Sequence, residues 1–121
     1  MGLILVIDDE QDTRIMVERL LVGWGHKALL ANTGEEGLAM LAEEKPDLII
    51  VDFMMPGING VEFIRQLRAN ERTLKIPAIL YTAVADPAFT NYILETGANE
   101  IWVKGRVEIE DMRKVIAKYV A

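Results

Sequence analysis

Five residues able to do acid, hydroxyl or amine chemistry each stand at the close of a short apolar run. Asp8 and Asp9 follow Leu3 to Ile7, Asp52 follows Leu48 to Val51, Thr82 follows Ala78 to Tyr81, and Lys104 follows Ile101 to Val103. Three carboxylates brought together repel, which raises the pKa of at least one of them. A divalent cation removes that repulsion. Oxygen ligands from few residues, with room for water, suit Mg²⁺ or Mn²⁺ better than Zn²⁺. A carboxylate can also attack phosphorus, and a metal and a lysine can neutralise the oxygens of a transferring phosphoryl group. A single aspartate in such a place is ordinarily a helix cap or a solvated turn, so Asp8-Asp9 alone decides nothing. Three acids, a hydroxyl and a lysine together point to phosphoryl chemistry.

These residues converge only if the runs are strands of one parallel sheet. Continuous apolar runs of three to five residues, bounded by turn or charged residues, suit strands buried on both faces. A weaker run, Lys27 to Ala31, reads as a further strand. Helical periodicity fills the gaps. Met16, Leu20 and Trp24 share a stripe, as do Leu38, Leu41 and Ala42, then Phe63, Ile64 and Leu67, and finally Ile109, Met112, Ile116 and Tyr119. Thr33-Gly34-Glu35-Glu36 forms a capping box and Asn59-Gly60-Val61-Glu62 a similar cap. Asp86-Pro87 is an N-cap followed by proline, and Thr96-Gly97 a C-terminal stop. Strand and helix therefore alternate five times, which predicts an α/β domain with helices on both faces. In such sheets ligands sit at the carboxyl ends of the strands, where the five residues fall.

Composition narrows the possibilities. At 121 residues the chain reads as one domain, 1–121, long enough to bury a core without staples. Cysteine is absent, which excludes disulfides, a thiol nucleophile and a cysteine zinc site, and fits a reducing cytoplasmic setting. The one histidine, His26, cannot form a multi-histidine metal centre and reads as a surface or strand-edge residue. The opening apolar run is too short for a secretory core or a membrane span, and Val6 stands where a myristoylation motif needs Ser or Thr. A net charge of −6 argues against direct nucleic acid binding. No GxxxxGK[ST] run is present, which excludes a P-loop NTPase.

The chain resembles the receiver domains of two-component response regulators from Leu3 to the final helix. The match is carried by Val6-Ile7-Asp8-Asp9-Glu10, Val51-Asp52-Phe53-Met54-Met55-Pro56-Gly57-Ile58-Asn59-Gly60, Tyr81-Thr82-Ala83, and Gly97-Ala98 leading to Val103-Lys104. The resemblance implies a flavodoxin-like (βα)5 fold, a doubly wound five-stranded parallel sheet in the order 2-1-3-4-5. It implies Asp52 as phosphoacceptor, Asp9 as a direct Mg²⁺ ligand and Asp8 as a ligand through water. The backbone carbonyl of Met54 would be a further ligand beside Asp52. Lys104 and Thr82 would each bind a phosphoryl oxygen, and Pro56 and Gly57 would shape the loop after the acceptor. A histidine kinase or a histidine phosphotransfer domain would donate the phosphoryl group. The output would be a downstream protein or a fused domain; both a single-domain regulator and the front of a longer protein are compatible with this sequence. Self-catalysed phosphoryl transfer and slow self-dephosphorylation would be its only chemistry, so it would not be an enzyme acting on other substrates.

Two positions depart from the family pattern. Gly105 follows the lysine where proline is usual, and Ile101 occupies the position of an aromatic; Trp102 is adjacent, but strand alternation points it the other way. A phosphorylation-independent interaction module, or pseudo-receiver, is the alternative that these departures suggest. The complete set of acids, hydroxyl and lysine argues against it. A small-molecule phosphatase or phosphotransferase would need a lid or a roomy pocket, and no long insertion supplies one.

Overall fold

The computed structural model describes residues 1–120. Its elements alternate as the apolar runs predict: β1 (Leu3–Ile7), α1 (Gln11–Gly23), β2 (Lys27–Ala31), α2 (Gly34–Met40), β3 (Leu48–Asp52), α3 (Gly60–Ala69), β4 (Ala78–Thr82), α4 (Pro87–Glu95), β5 (Glu100–Val103) and α5 (Ile109–Tyr119). All the strand pairings are parallel, and the sheet order is β2-β1-β3-β4-β5. Every residue of β3 and of β4 is buried, which is why those segments carry no polar alternation.

The pleat divides the apolar residues into two layers. Leu5, Ile7, Ile49, Val51, Ala78 and Leu80 pack with Phe63, Ile64 and Leu67 of α3 and with Ile93 of α4. Ile4, Val6, Ile50, Tyr81 and Trp102 pack on the other face with Val17 and Leu21 of α1 and with Met112 and Ile116 of α5. The caps form as the sequence suggests. Thr33 Oγ1 accepts the Glu36 amide at 3.1 Å, Asn59 Oδ1 accepts the Glu62 amide at 2.9 Å, and Asp86 Oδ1 accepts the Ala88 amide at 2.8 Å. One element is shorter than its pattern. Helix α2 stops at Met40, and Leu41 and Ala42 lie in tight turns, where Ala42 donates to the Ala39 carbonyl at 3.2 Å. Two adjacent acids, Glu43 and Glu44, sit at the negative end of the helix, and Pro46 forbids continuation.

His26 lies at the edge just before β2, half-buried, with Nδ1 accepting the Gly2 amide at 3.0 Å. Far from the strand carboxyl ends, Arg68 of α3 gathers loose carbonyls. It donates to Leu74 O, Ile76 O and Gly97 O at 2.9, 2.7 and 2.9 Å and to Asn99 Oδ1 at 2.9 Å. No helix among the described residues is long and apolar enough to cross a membrane.

Candidate functional site

The strand register determines which side chains meet. Asp52 pairs with Tyr81, and Tyr81 pairs with Trp102. Asp52 lies two residues after Ile50, and Asp8 two after Val6; both apolar residues belong to the layer under α1 and α5. Period-two alternation therefore puts Asp8 and Asp52 on that same face. Carboxylate oxygens of Asp8, Asp9 and Asp52 lie within 4.8 Å of one another. Lys104 closes the group: its Nζ is 3.0 Å from Asp8 Oδ2, 3.5 Å from Asp52 Oδ2 and 3.7 Å from Glu10 Oε1.

The acids differ in surroundings. Asp8 is buried, and both of its oxygens are engaged by the chain: Oδ1 accepts the Glu10 amide at 2.9 Å and Oδ2 accepts from Lys104. Arg14 fixes the same turn by donating to the Asp8 carbonyl at 2.6 Å. Asp9 is exposed. Asp52 is only 5% exposed, and its carboxyl is pushed up to about 6. Burial is the largest cause, ahead of the charge on Asp8; Lys104 opposes the rise and Asp9 adds to it. The sequence predicts a raised carboxylate through mutual repulsion, whereas desolvation contributes more. Burial alone would lower the pKa of Lys104, but the hydrogen bond to Asp8 and the charges on Asp52, Asp8 and Glu10 raise it. Three clustered carboxylates opposed by one ammonium leave an excess of negative charge. The donor set is all oxygen, so it fits a hard divalent cation.

The remaining sequence candidates flank this cluster. Thr82 is fully buried, and its Oγ1 accepts the Val84 amide at 3.1 Å. It pairs with Val103, one step along from Tyr81, so its side chain leaves the opposite face of the pleat from Asp52. Met54, 67% exposed, lines an open groove with Asp9, Phe53, Met55, Pro56 and Asn59. Gly60 opens α3 directly beneath Asp52. A Cβ there would collide with the Asp52 carbonyl, so glycine lets the helix start against the strand end. Ile101 packs into the layer of α3 and α4, and Trp102 into the opposite layer, as alternation predicts. Gly105 has φ +81°, which proline, held near −65°, cannot adopt.

A family model described as "Response regulator receiver domain" matches residues 4–117. The chain belongs to the response regulator receiver domain family. Among curated relatives, this receiver domain is 40% identical over 118 residues to the transcriptional regulatory protein AfsQ1 of Streptomyces coelicolor, covering 95% of this chain and 51% of that protein. It is 32% identical over 114 residues to a probable chemotaxis protein CheY of Rhizobium etli, covering 93% of this chain and 88% of that one. The chain thus spans about half the length of the AfsQ1 regulator and nearly all of the chemotaxis protein. Among solved structures, the chemotaxis protein CheY4 of Vibrio cholerae superposes with TM-score 0.90 at 28% identity, covering 99% of each chain. The response regulator TrrA of Thermotoga maritima, solved in complex with Mg²⁺-BeF, superposes with TM-score 0.87 at 29% identity, covering 99% of this chain and 100% of that one.

Three participants in the receiver pocket have no role assigned from the sequence, although Glu10 and Tyr81 fall within the matching motifs. Glu10 adds a third carboxylate within 3.7 Å of Lys104, beside Asp8 and Asp52, and Arg14 braces the Asp8 turn. The third is Tyr81, whose ring lies under the Lys104 ammonium with Nζ 5.3 Å from its centroid. In the sequence, Tyr81 reads as one more apolar residue of a buried strand. Only the register turns it towards Asp52.

Proposed function

We propose that Asp52 accepts a phosphoryl group from a phosphohistidine on a histidine kinase or a histidine phosphotransfer domain. The observation that carries this is a nearly buried carboxylate, raised in pKa, standing among Asp8, Asp9 and Lys104 at the mouth of a receiver sheet. In the transfer, an oxygen of Asp52 forms a bond to phosphorus while the bond from phosphorus to the donor imidazole breaks, and the electron pair stays on that nitrogen. Lys104 has only a short distance to travel from Asp8 to reach an oxygen on a phosphorylated Asp52. Thr82 gives up its bond from the Val84 amide and turns its hydroxyl to another phosphoryl oxygen.

Asp9, Asp52, the Met54 carbonyl and, through water, Asp8 would hold Mg²⁺, or Mn²⁺ in its place, which would supply the positive charge that offsets carboxylate and phosphoryl repulsion. The division between Asp8 and Asp9 has support in their surroundings. Both Asp8 oxygens already hold hydrogen bonds from the chain, whereas Asp9 is exposed. Output passes to a downstream protein or a fused domain in the cytoplasm, and the domain acts on no substrate but itself.

The test is intact mass after incubation with Mg²⁺ and a small-molecule phosphodonor. The wild type gains a single phosphoryl group, and the gain is lost in Asp52→Asn and in excess chelator. No gain in the wild type would return the chain to a phosphorylation-independent interaction module. Continuous turnover of the donor would make it an enzyme.

A further inference from the structure

Lys104 follows β5, yet its closest carboxylate, Asp8, follows β1. In the order β2-β1-β3-β4-β5 two strands separate them, β4 and β3. The lysine side chain must therefore cross the end of β4 to reach any acid of the pocket. Tyr81 is the β4 residue in register with Asp52 on one side and with Trp102 on the other, so its ring lies on that path. The ammonium sits over the ring, 5.3 Å from the centroid, within the range in which the negative face of an aromatic attracts a cation. The ring is itself fixed. Trp102, 4% exposed, meets Tyr81 nearly edge-on at 86° with centroids 6.2 Å apart, and Tyr81 is 7% exposed.

We infer that Tyr81 is a positioning residue for phosphoryl transfer, its ring holding the Lys104 ammonium over the sheet edge and presenting it to the acceptor. The inference rests on the reading of Asp52 as acceptor. A lysine stem is flexible, and its charge is a strongly hydrated point. Without a surface to lie on, the ammonium disperses over Asp8, Glu10 and water. With the ring beneath it, the same ammonium has one track, which runs from Asp8 to Asp52. The attraction is directed by the face of the ring and needs no hydroxyl, so phenylalanine can replace tyrosine and an aliphatic residue cannot. A residue serving only as core filling shows the opposite pattern, because leucine then fills the space nearly as well as phenylalanine.

Two readouts separate these cases. The first is the NMR shift of the Lys104 ε-methylene, assigned by its absence in Lys104→Met. Protons above an aromatic face move upfield, so the wild-type signal lies upfield of the exposed lysines, stays there in Tyr81→Phe, and returns to the exposed range in Tyr81→Leu. The second is the initial rate of phosphorylation by a small-molecule donor with Mg²⁺. Tyr81→Leu slows it by about tenfold, the scale of a lost cation–π contact, while the site of modification remains Asp52. Tyr81→Phe restores the rate. An unshifted Lys104 signal in the wild type overturns the inference without any variant at position 81, so it stays testable even if Tyr81→Leu folds poorly. A folded Tyr81→Leu with a wild-type rate also overturns it. Absence of phosphorylation in the wild type, with the lysine signal shifted upfield, overturns the functional reading instead.

Discussion

Phe53 and Phe89 meet edge to face, with ring centroids 4.7 Å apart and planes at 72°. Phe53 is the residue after the proposed acceptor, and Phe89 belongs to the first turn of α4. Ile101 packs into the same layer. An isoleucine is stiff at χ1 and carries no hydroxyl, so it has few alternative rotamers and no hydrogen bond to exchange, unlike the aromatic usual at this position. A ligand shifts a two-state element only by its differential interaction with the two states. Most of the signal is then expected to start at Thr82, whose hydroxyl accepts the Val84 amide at rest and is proposed to turn to the phosphoryl group. With beryllofluoride and Mg²⁺, the amide shifts of α4 should change strongly in the wild type, slightly less in Ile101→Ala, and hardly at all in Thr82→Ala, although Thr82→Ala still accepts phosphate. A wild-type response from Thr82→Ala, or complete loss in Ile101→Ala, contradicts this account.

Removal of the exposed acid should abolish metal binding. Asp9→Ala is expected to reduce Mg²⁺ affinity to background and phosphorylation with it, without loss of thermal stability in the metal-free protein, because one of the repelling charges is gone. Isothermal titration with Mg²⁺ and intact mass after donor treatment check both halves. Normal phosphorylation of Asp9→Ala contradicts the ligand assignment.

The raised carboxyl of Asp52 has a stability consequence of definite sign. Its folded pKa, about 6, lies above the ordinary 3.8, so the folded state holds the proton more tightly than the unfolded state does. The contribution of this group therefore favours folding below the unfolded value and is progressively lost as pH rises from about 4 to about 6. In excess chelator, Asp52→Asn should melt higher than the wild type at pH 7, by about 3–5 °C after allowance for solvent screening. The difference should vanish below about pH 4. Comparing the two proteins cancels the separate contribution of His26, whose pKa burial lowers. A difference that does not vary with pH contradicts the assigned shift.

Much of this architecture is legible in particular residues. The unbroken apolar runs of β3 and β4 announce strands buried on both faces, and Thr33, Asn59 and Asp86 mark helix starts because their side chains take the first free amides. The strand order came from the family resemblance, since periodicity alone does not say which strands are neighbours. The stop of α2 at Met40 was hidden because Leu41 and Ala42 continue the apolar stripe. Arg68 was illegible for another reason. Its acceptors are mostly backbone carbonyls of irregular segments, and no residue type signals a carbonyl. In the site, chemistry-bearing residue types were found by type, whereas Tyr81 acts through the face of a ring and needs the register to be recognised.

The lifetime of the phosphorylated state should depend on position 54. Hydrolysis needs a water in line with phosphorus, and Met54 lines the groove beside the carboxylates with a side chain that cannot orient one. Met54→Asn should shorten the half-life of the aspartyl phosphate, by roughly the 10-fold that one well-placed hydrogen bond of about 1.4 kcal/mol supplies. Decay of the phosphorylated mass with time gives the rate, and equal rates contradict the role given to Met54.

Asp52 itself is proposed to take the phosphoryl group. Reductive trapping tests it most directly: borohydride converts an aspartyl phosphate to homoserine, and peptide mass mapping then locates the modified residue. After donor and Mg²⁺, homoserine should appear at position 52 in the wild type, with none at positions 8 or 9 and none anywhere in Asp52→Asn. Homoserine at Asp8 or Asp9, or a phosphoryl group carried stably on Thr82, would contradict the account.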